Sequence, residues 1–276
     1  MNTQLKASFK KEIMAFVRTK RFIILLCVFI GLSMFDPIMI KGMSTIMNSI
    51  SGSSADMGID FSAITEEMAD LVASGGVASS ISELTGTGLL IFLLLINGFA
   101  GGEQKKRSII LPKTSGLRNS SYLFPKYKVY PAAVFVFSIL GILASTWVSS
   151  VLFDINDISV PRVLLAGALA GVYLMMYVCF HLTLGTATGQ AGMSSAVCIV
   201  AAMILPNIFS IPGMYNAYNP FSLNLLAVNV LHGELDAGEI IPTVIITLAI
   251  MLAVYLIALF AQNAKQIDNT GNETVI

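Results

Sequence analysis

Charge is scarce in this chain. Only 12% of its 276 residues are Asp, Glu, Lys or Arg, where a soluble globular domain carries about 25%. Hydrophobic residues make up 55%, more apolar surface than a chain of this length can wrap into a water-facing core. Lipid removes the difficulty, because apolar side chains that face outward are then at no disadvantage. Histidine and cysteine are scarce too. Cys27, Cys179 and Cys198 all fall inside apolar runs. None forms a C-x-x-C pair, which argues against a disulfide framework or a zinc site and for small core residues.

Several catalytic signatures are missing. There is no G-x-x-x-x-G-K-[ST] phosphate loop, no G-x-S-x-G and no H-E-x-x-H, so ATP binding through a phosphate loop is not expected of this chain. The run Gly185–Gly189 has no lysine and reads as a turn between apolar stretches. The two histidines, His181 and His232, lie far apart. His181 falls in an apolar run, where packing and proton relay are its two readings; His232 reads as a solvated loop residue. The carboxylates form no ladder along the apolar runs, as ion coupling would require. An enzyme is not expected here, and neither a cofactor nor a metal.

What the sequence does contain is long apolar runs. About 20 helical residues cross a hydrocarbon core about 30 Å thick, and six stretches qualify: 22–40, 84–102, 129–153, 161–184, 193–211 and 240–261. The expected fold is an all-α integral membrane protein of six transmembrane helices within residues 22–262. The first stretch lacks the short apolar segment and A-x-A-like site of a cleaved signal, so a retained helix is expected. Asp36, followed by Pro37, reads either as the point where that helix leaves the bilayer or as a transport group.

Cations set the orientation. Six lie in the first 21 residues, seven in 103–128 and Lys265 in the tail, so fourteen of the sixteen basic residues fall on one side of a six-span chain. Lys41 and Arg162 sit at span ends, where they can snorkel. Most acids, among them Asp56, Glu66, Asp157 and Glu239, take the other side. Both termini are therefore expected in the cytoplasm, with the protein in the cell membrane.

Outside the spans, residues 1–21 read as an interfacial amphipathic helix. Leu5, Phe9, Ile13, Phe16 and Val17 line one face, and Lys10, Lys11 and Arg18 the other. External loops are expected over 41–83 and 212–239, and a cytoplasmic tail over 263–276. Ile64, Met68, Leu71 and Val72 recur at helical spacing within the first loop, which reads as a connector or a lid. Ser80 and Glu83 make a capping box that would start the second span. Gly98 with Gly102, and Gly167 with Gly171, make G-x-x-x-G pairs that suit helix packing, within one bundle or between subunits.

Two segments carry a family resemblance. The first follows the second span: Phe99 to Leu111, with Glu103, the basic run Lys105-Lys106-Arg107, Ser108, and then Lys126 opening the third span. The second is Tyr218-Asn219-Pro220-Phe221-Ser222, where Pro220 suits a first helical turn and Asn219 its cap. Together they resemble the permease subunits of the ABC-2 superfamily. In this chain Arg107 stands for the family's usual glycine, Gly116 for its proline and Ser108 for its threonine. The resemblance implies that 103–128 is a coupling segment docking on a separate ATP-binding subunit, which holds the ATP and magnesium. It implies two permease copies, alike or different, with two ATPases, in contact with membrane lipid and not with nucleic acid. The transport implied is export or flipping of an amphipathic substrate such as a peptide, lipid, drug or antibiotic, by alternating access at the interface of the two permeases. Positive-inside topology alone would also explain the basic run, and an ATP-independent channel or ion-coupled carrier is the alternative function.

Overall fold

The computed structural model describes residues 3–54, 73–100, 102–105, 116–153, 157–209, 218–233, 237–267 and 273–275. These are helical apart from short connections and two three-residue strands. In chain order the helices are α1 (Thr3–Arg18), α2 (Arg21–Ser54), α3 (Ala73–Glu83), α4 (Leu89–Ala100), α5 (Gly102–Lys105), α6 (Asn119–Leu152), α7 (Val160–Thr188), α8 (Ala191–Phe209), α9 (Leu223–His232) and α10 (Ala237–Ala264). A π-helical turn, Leu84–Gly88, joins α3 to α4, and a 3-10 turn, Pro220–Ser222, leads into α9. Strands β1 (Lys265–Ile267) and β2 (Glu273–Val275) pair antiparallel.

Five stretches are long and apolar enough to cross a membrane: Arg21–Ile46, Ala73–Phe99, Asn119–Leu152, Val160–Thr188 and Gly238–Ala264. The stretch expected as the fifth of six spans forms the shorter apolar helix Gly192–Ile208, with Pro206 inside it. Helix α7 is the centre of the bundle and packs on α4, α6, α8, α9 and α10. Within its most apolar window 67% of the residues are buried, against 22% in α2 and 17% in α10. The last two therefore turn most of their apolar surface outward.

Three expectations are corrected here. Helix α2 does not give way to a loop at residue 41 but continues unbroken to Ser54, with Asp36 inside it. Pro37 removes one backbone donor and leaves the Ser33 carbonyl without its intrahelical bond; the Ser80 hydroxyl donates to that carbonyl at 2.9 Å. Ser80 is thus no N-cap. It sits inside α3, and its Oγ lies 2.7 Å from the Ser145 Oγ of α6. The second span begins earlier than hydropathy suggests because the small residues of α3 bury themselves against α2 and α6. Cys27, expected inside, is exposed, while Cys179 and Cys198 are buried and free.

The expected loop regions 55–72, 210–217 and 234–236, and with them the periodic residues Ile64 to Val72, lie outside the described residues, as does 268–272 of the tail. At the end of the bundle where α3 and α7 begin, Asp157 accepts from the Ser74 backbone N–H at 2.9 Å and so caps α3. Gly233, at φ +89°, closes α9 in the left-handed conformation, and a Cβ there would stand 3.0 Å from the Arg162 guanidinium. A cation beside the C-terminus of α9 also suits the helix dipole.

Helices α2, α3 and α6 meet along a seam of small residues: Ser33, Gly76, Ser80, Gly141, Ser145 and Ser149. A Cβ on Gly141 would stand 2.7 Å from the Ser33 Oγ and 3.1 Å from the Phe29 carbonyl oxygen, which cannot move aside. Gly141→Ala is therefore expected to destabilise the bundle by about 1–3 kcal/mol through overpacking. Gly31→Ala, where nothing lies within 4 Å, should be neutral or gain up to about 1 kcal/mol of helix propensity. Thermal midpoints of the two variants in detergent check this.

Candidate functional site

One residue in the N-terminal segment runs against its surroundings. Glu12 is the only acid in the first 35 residues, and a lone carboxylate among cations has partners of opposite sign available. Glu103 repeats the pattern as the only acid between Glu83 and Asp154. The structure brings the two together. Helix α1 lies on α6, and its inward face is the one that carries Glu12 and Phe16. Ile13 and Val17, expected on the same face as Phe16, are instead about half exposed. The break after α1 is made at Lys20, whose φ is +57°, and it lets α1 fold back against α6.

Between Glu12 and Glu103 stands Lys126, in the third turn of α6. Its side chain is only 2% exposed, as is that of Glu12. The ammonium lies 2.9 Å from Glu103 Oε2 and 3.4 Å from Glu12 Oε1, and it donates to the Phe99 carbonyl at 3.1 Å. Glu12 Oε2 accepts from the Tyr130 hydroxyl at 2.8 Å. Glu103 Oε2 accepts from the Tyr122 hydroxyl at 2.7 Å, and its Oε1 from Lys11 at 2.9 Å. Two carboxylates and two ammonium groups thus close a neutral network that joins α1, the end of α4 with α5, and the start of α6. A charge buried to this degree is tolerable only when it is paired and hydrogen-bonded.

The network fixes the charge of its members. Burial alone would raise the Glu103 carboxyl, but Lys126 and Lys11, with hydrogen bonds from Lys11 and Tyr122, outweigh it and hold it at about 2. Burial would lower the Lys11 ammonium; Glu103 and then Glu12 reverse this and raise it above its ordinary 10.5. Arg21 adds a second tie beside the network. It donates to the Leu95 carbonyl at 2.8 Å and stacks 4.7 Å from the Phe99 ring centre.

The other sequence-derived residues are placed as follows. Gly98 faces the Arg21 guanidinium, 3.3 Å from where a Cβ would be, and Gly102 has open space around it. Gly167 and Gly171 lie against α6, where Cβ atoms would meet Ile139 at 3.5 Å and the Phe135 ring at 2.6 Å. The Asn219 side chain accepts from the Phe221 backbone N–H at 3.0 Å, with Pro220 in the first position of the 3-10 turn. Lys105 ends α5. Lys106, Arg107 and Ser108 lie outside the described residues. His181 is fully buried in α7, beside Ser194 of α8.

A cleft of about 330 Å³ opens where the π-helical turn faces α7, α8 and α9. Thr85, Gly86 and Thr87 line one wall, and Tyr173, Asn207 and Asn224 the other. Single π-turns inside α-helices are rare and recur at functional sites. The lining mixes apolar carbon with neutral hydrogen-bonding groups and carries no charge. Among the described residues, no group of three or more His, Cys, Asp or Glu side chains could hold a metal ion.

Two outcomes are expected of the network. Lys126→Met leaves the buried Glu12 with Lys11, 3.6 Å away, as its one remaining cationic partner, which should cost up to about 3–5 kcal/mol; adding Glu12→Gln should recover part of that loss, as read by thermal unfolding in detergent. The acid limb has a definite sign. A carboxylate held below its ordinary 4.5 contributes stability above that value and loses it as pH falls toward about 2. Unfolding midpoints between pH 7 and 3 should therefore fall less steeply for Glu103→Gln than for the parent chain.

No family model matches the chain, and no curated protein matches it.

Proposed function

We propose that this chain is the membrane-spanning subunit of an ATP-driven transporter of the ABC-2 type, with α8 as its sixth, shorter span and both termini in the cytoplasm. The observation that carries the reading is the Glu103–Lys126 pair at 2.9 Å. Sequence resemblance alone singles out these two residues, one at the end of the second span and one at the opening of the third. Their contact holds the two ends of the intervening segment together and ties both to α1. A segment clamped in this way can pass a push from a docked ATPase into two spans and the N-terminal helix as one body.

The ends of the bundle also differ in charge, and this favours the orientation. Lys11 on α1, with Arg21, Arg118, Lys126 and Lys128 at or near the starts of α2 and α6, gathers at one end, whereas Asp157 and Glu239 stand at the other. On this reading α1 lies along the inner interface with Ile13, Met14 and Val17 toward lipid, since all three are exposed. The uncharged cleft beside the π-turn would serve an amphipathic substrate, whose polar groups need partners and whose apolar part needs a wall of carbon.

The test is assembly. Expressed with its ATP-binding partner, the chain is expected to co-purify as a complex whose ATPase rate responds to amphipathic cargo. Reversing the charges of Lys105, Lys106 and Arg107 together should weaken that complex at least tenfold and leave membrane insertion intact. Unchanged assembly would count against docking at this segment. One observation favours the second reading, an ion-coupled carrier: Asp36 Oδ2 is buried without a hydrogen-bond partner in α2, and its carboxyl interacts with that of Glu83. Transport in sealed vesicles separates the two readings, because a carrier would run on an ion gradient with ATP absent.

A further inference from the structure

A groove of about 390 Å³ runs between α6 and α10, with α7 as its floor. Its level in the bundle follows from a pair of amides. Asn119, the first residue of α6, donates to the Asn263 side chain at 2.7 Å near the end of α10, so these two helix ends lie at one height. Lys128 stands nine residues into α6 and Tyr255 nine residues before the end of α10. At 1.5 Å per residue both lie about 14 Å inward, and together with Phe124 they form the mouth. The rest of the groove leads away from that end along Cys179, Met251 and Leu252. From Tyr255 to its far residue, Leu248, it extends about 10 Å.

Mouth and body differ in chemistry. Lys128 is exposed, its ammonium lies 5.6 Å from the Phe124 ring centre, and no carboxylate pairs with it among the described residues. Lys128 itself lines the groove, together with Cys179 on the floor. The body is almost wholly apolar. In a bilayer such a groove fills with hydrocarbon, and a cation at its mouth with no carboxylate partner among the described residues selects what carries that hydrocarbon. A second copy of the chain would have to bring an acid to Lys128. Yet the acids with described side chains at this end are Glu12 and Glu103, both engaged in the ion network.

We propose that the groove binds one anionic phospholipid, its phosphate at Lys128 and an acyl chain along Cys179, Met251 and Leu252. The proposal rests on the reading that this end of the bundle faces the cytoplasmic leaflet, where anionic headgroups meet basic residues. It needs neither the ATPase nor transport.

Native mass spectrometry of the purified full chain, delipidated and titrated with phosphatidylglycerol or phosphatidylcholine, tests it. The parent chain should hold one phosphatidylglycerol in preference to phosphatidylcholine. Lys128→Ala should weaken phosphatidylglycerol about fivefold and leave phosphatidylcholine unchanged, while Lys128→Arg should keep the preference. Lys6→Ala, at an exposed lysine of α1 outside the groove, should change nothing. Met251→Trp, which fills the groove, should remove the tightly held lipid of either kind. Equal phosphatidylglycerol binding by the parent chain and Lys128→Ala, or lipid retained by Met251→Trp, would overturn the proposal. So would a lipid-free dimer that Met251→Trp abolishes. Because the measurement uses the chain alone, failure of ATPase recruitment leaves this result standing, and loss of the lipid site leaves the transporter reading intact.

Discussion

A single ammonium group sets the terms for the basic end of this molecule. Lys126 is almost wholly buried, and an unpaired charge in such a place costs several kcal/mol, a large share of the stability of an ordinary domain. Everything nearby is arranged around that constraint. Helix α1 supplies Glu12, the chain after α4 supplies Glu103 and a backbone carbonyl, and Tyr122 and Tyr130 fill the remaining acceptor positions of the two carboxylates. Replacing such a cluster with apolar residues often leaves stability unchanged or improved. Its value here is geometric: it ties α1, the chain after α4 and the start of α6 together at one point.

The membrane-spanning part answers a second constraint, that each backbone polar group in lipid must find a partner within the protein. Pro37 breaks the ladder of α2, and a serine from the neighbouring helix repairs it. The repair works because the seam is built of glycine and serine, which bring the helices close enough for a short side chain to reach across. Polarity inside the bundle is thereby hidden from lipid, and for this reason hydropathy misplaces the start of the second span.

How much of this was legible follows from the range of each interaction. Long apolar runs and the segregation of cations are local and additive, so the membrane-embedded character and the existence of most long helices could be read directly. Helix limits could not, since Ala73–Glu83 owes its helicity to burial against α2 and α6 rather than to its own apolarity. The choice of inward face on α1 was missed because amphipathic reading sends Glu12 to water. Its burial is made tolerable by partners more than a hundred residues away in sequence, Lys126 and Tyr130, together with the neighbouring Lys11. Two lone acids in otherwise basic segments were the available signal. Asn119 and Asn263 carry no such mark, and their pairing became visible only in three dimensions.

The π-helical turn has a geometric effect on the span that contains it. A π-turn accommodates one residue more than an α-turn does, and each residue advances the direction of the side chains by about 100°. The half of the span before Leu84 can therefore aim Ser80 at α2 and α6, while the half after it turns Leu95 and Phe99 toward Arg21. One continuous run of helix presents two differently oriented surfaces, each matched to its own neighbour. The threonines and glycines that make the turn sit at the junction between them, on the wall of the uncharged cleft.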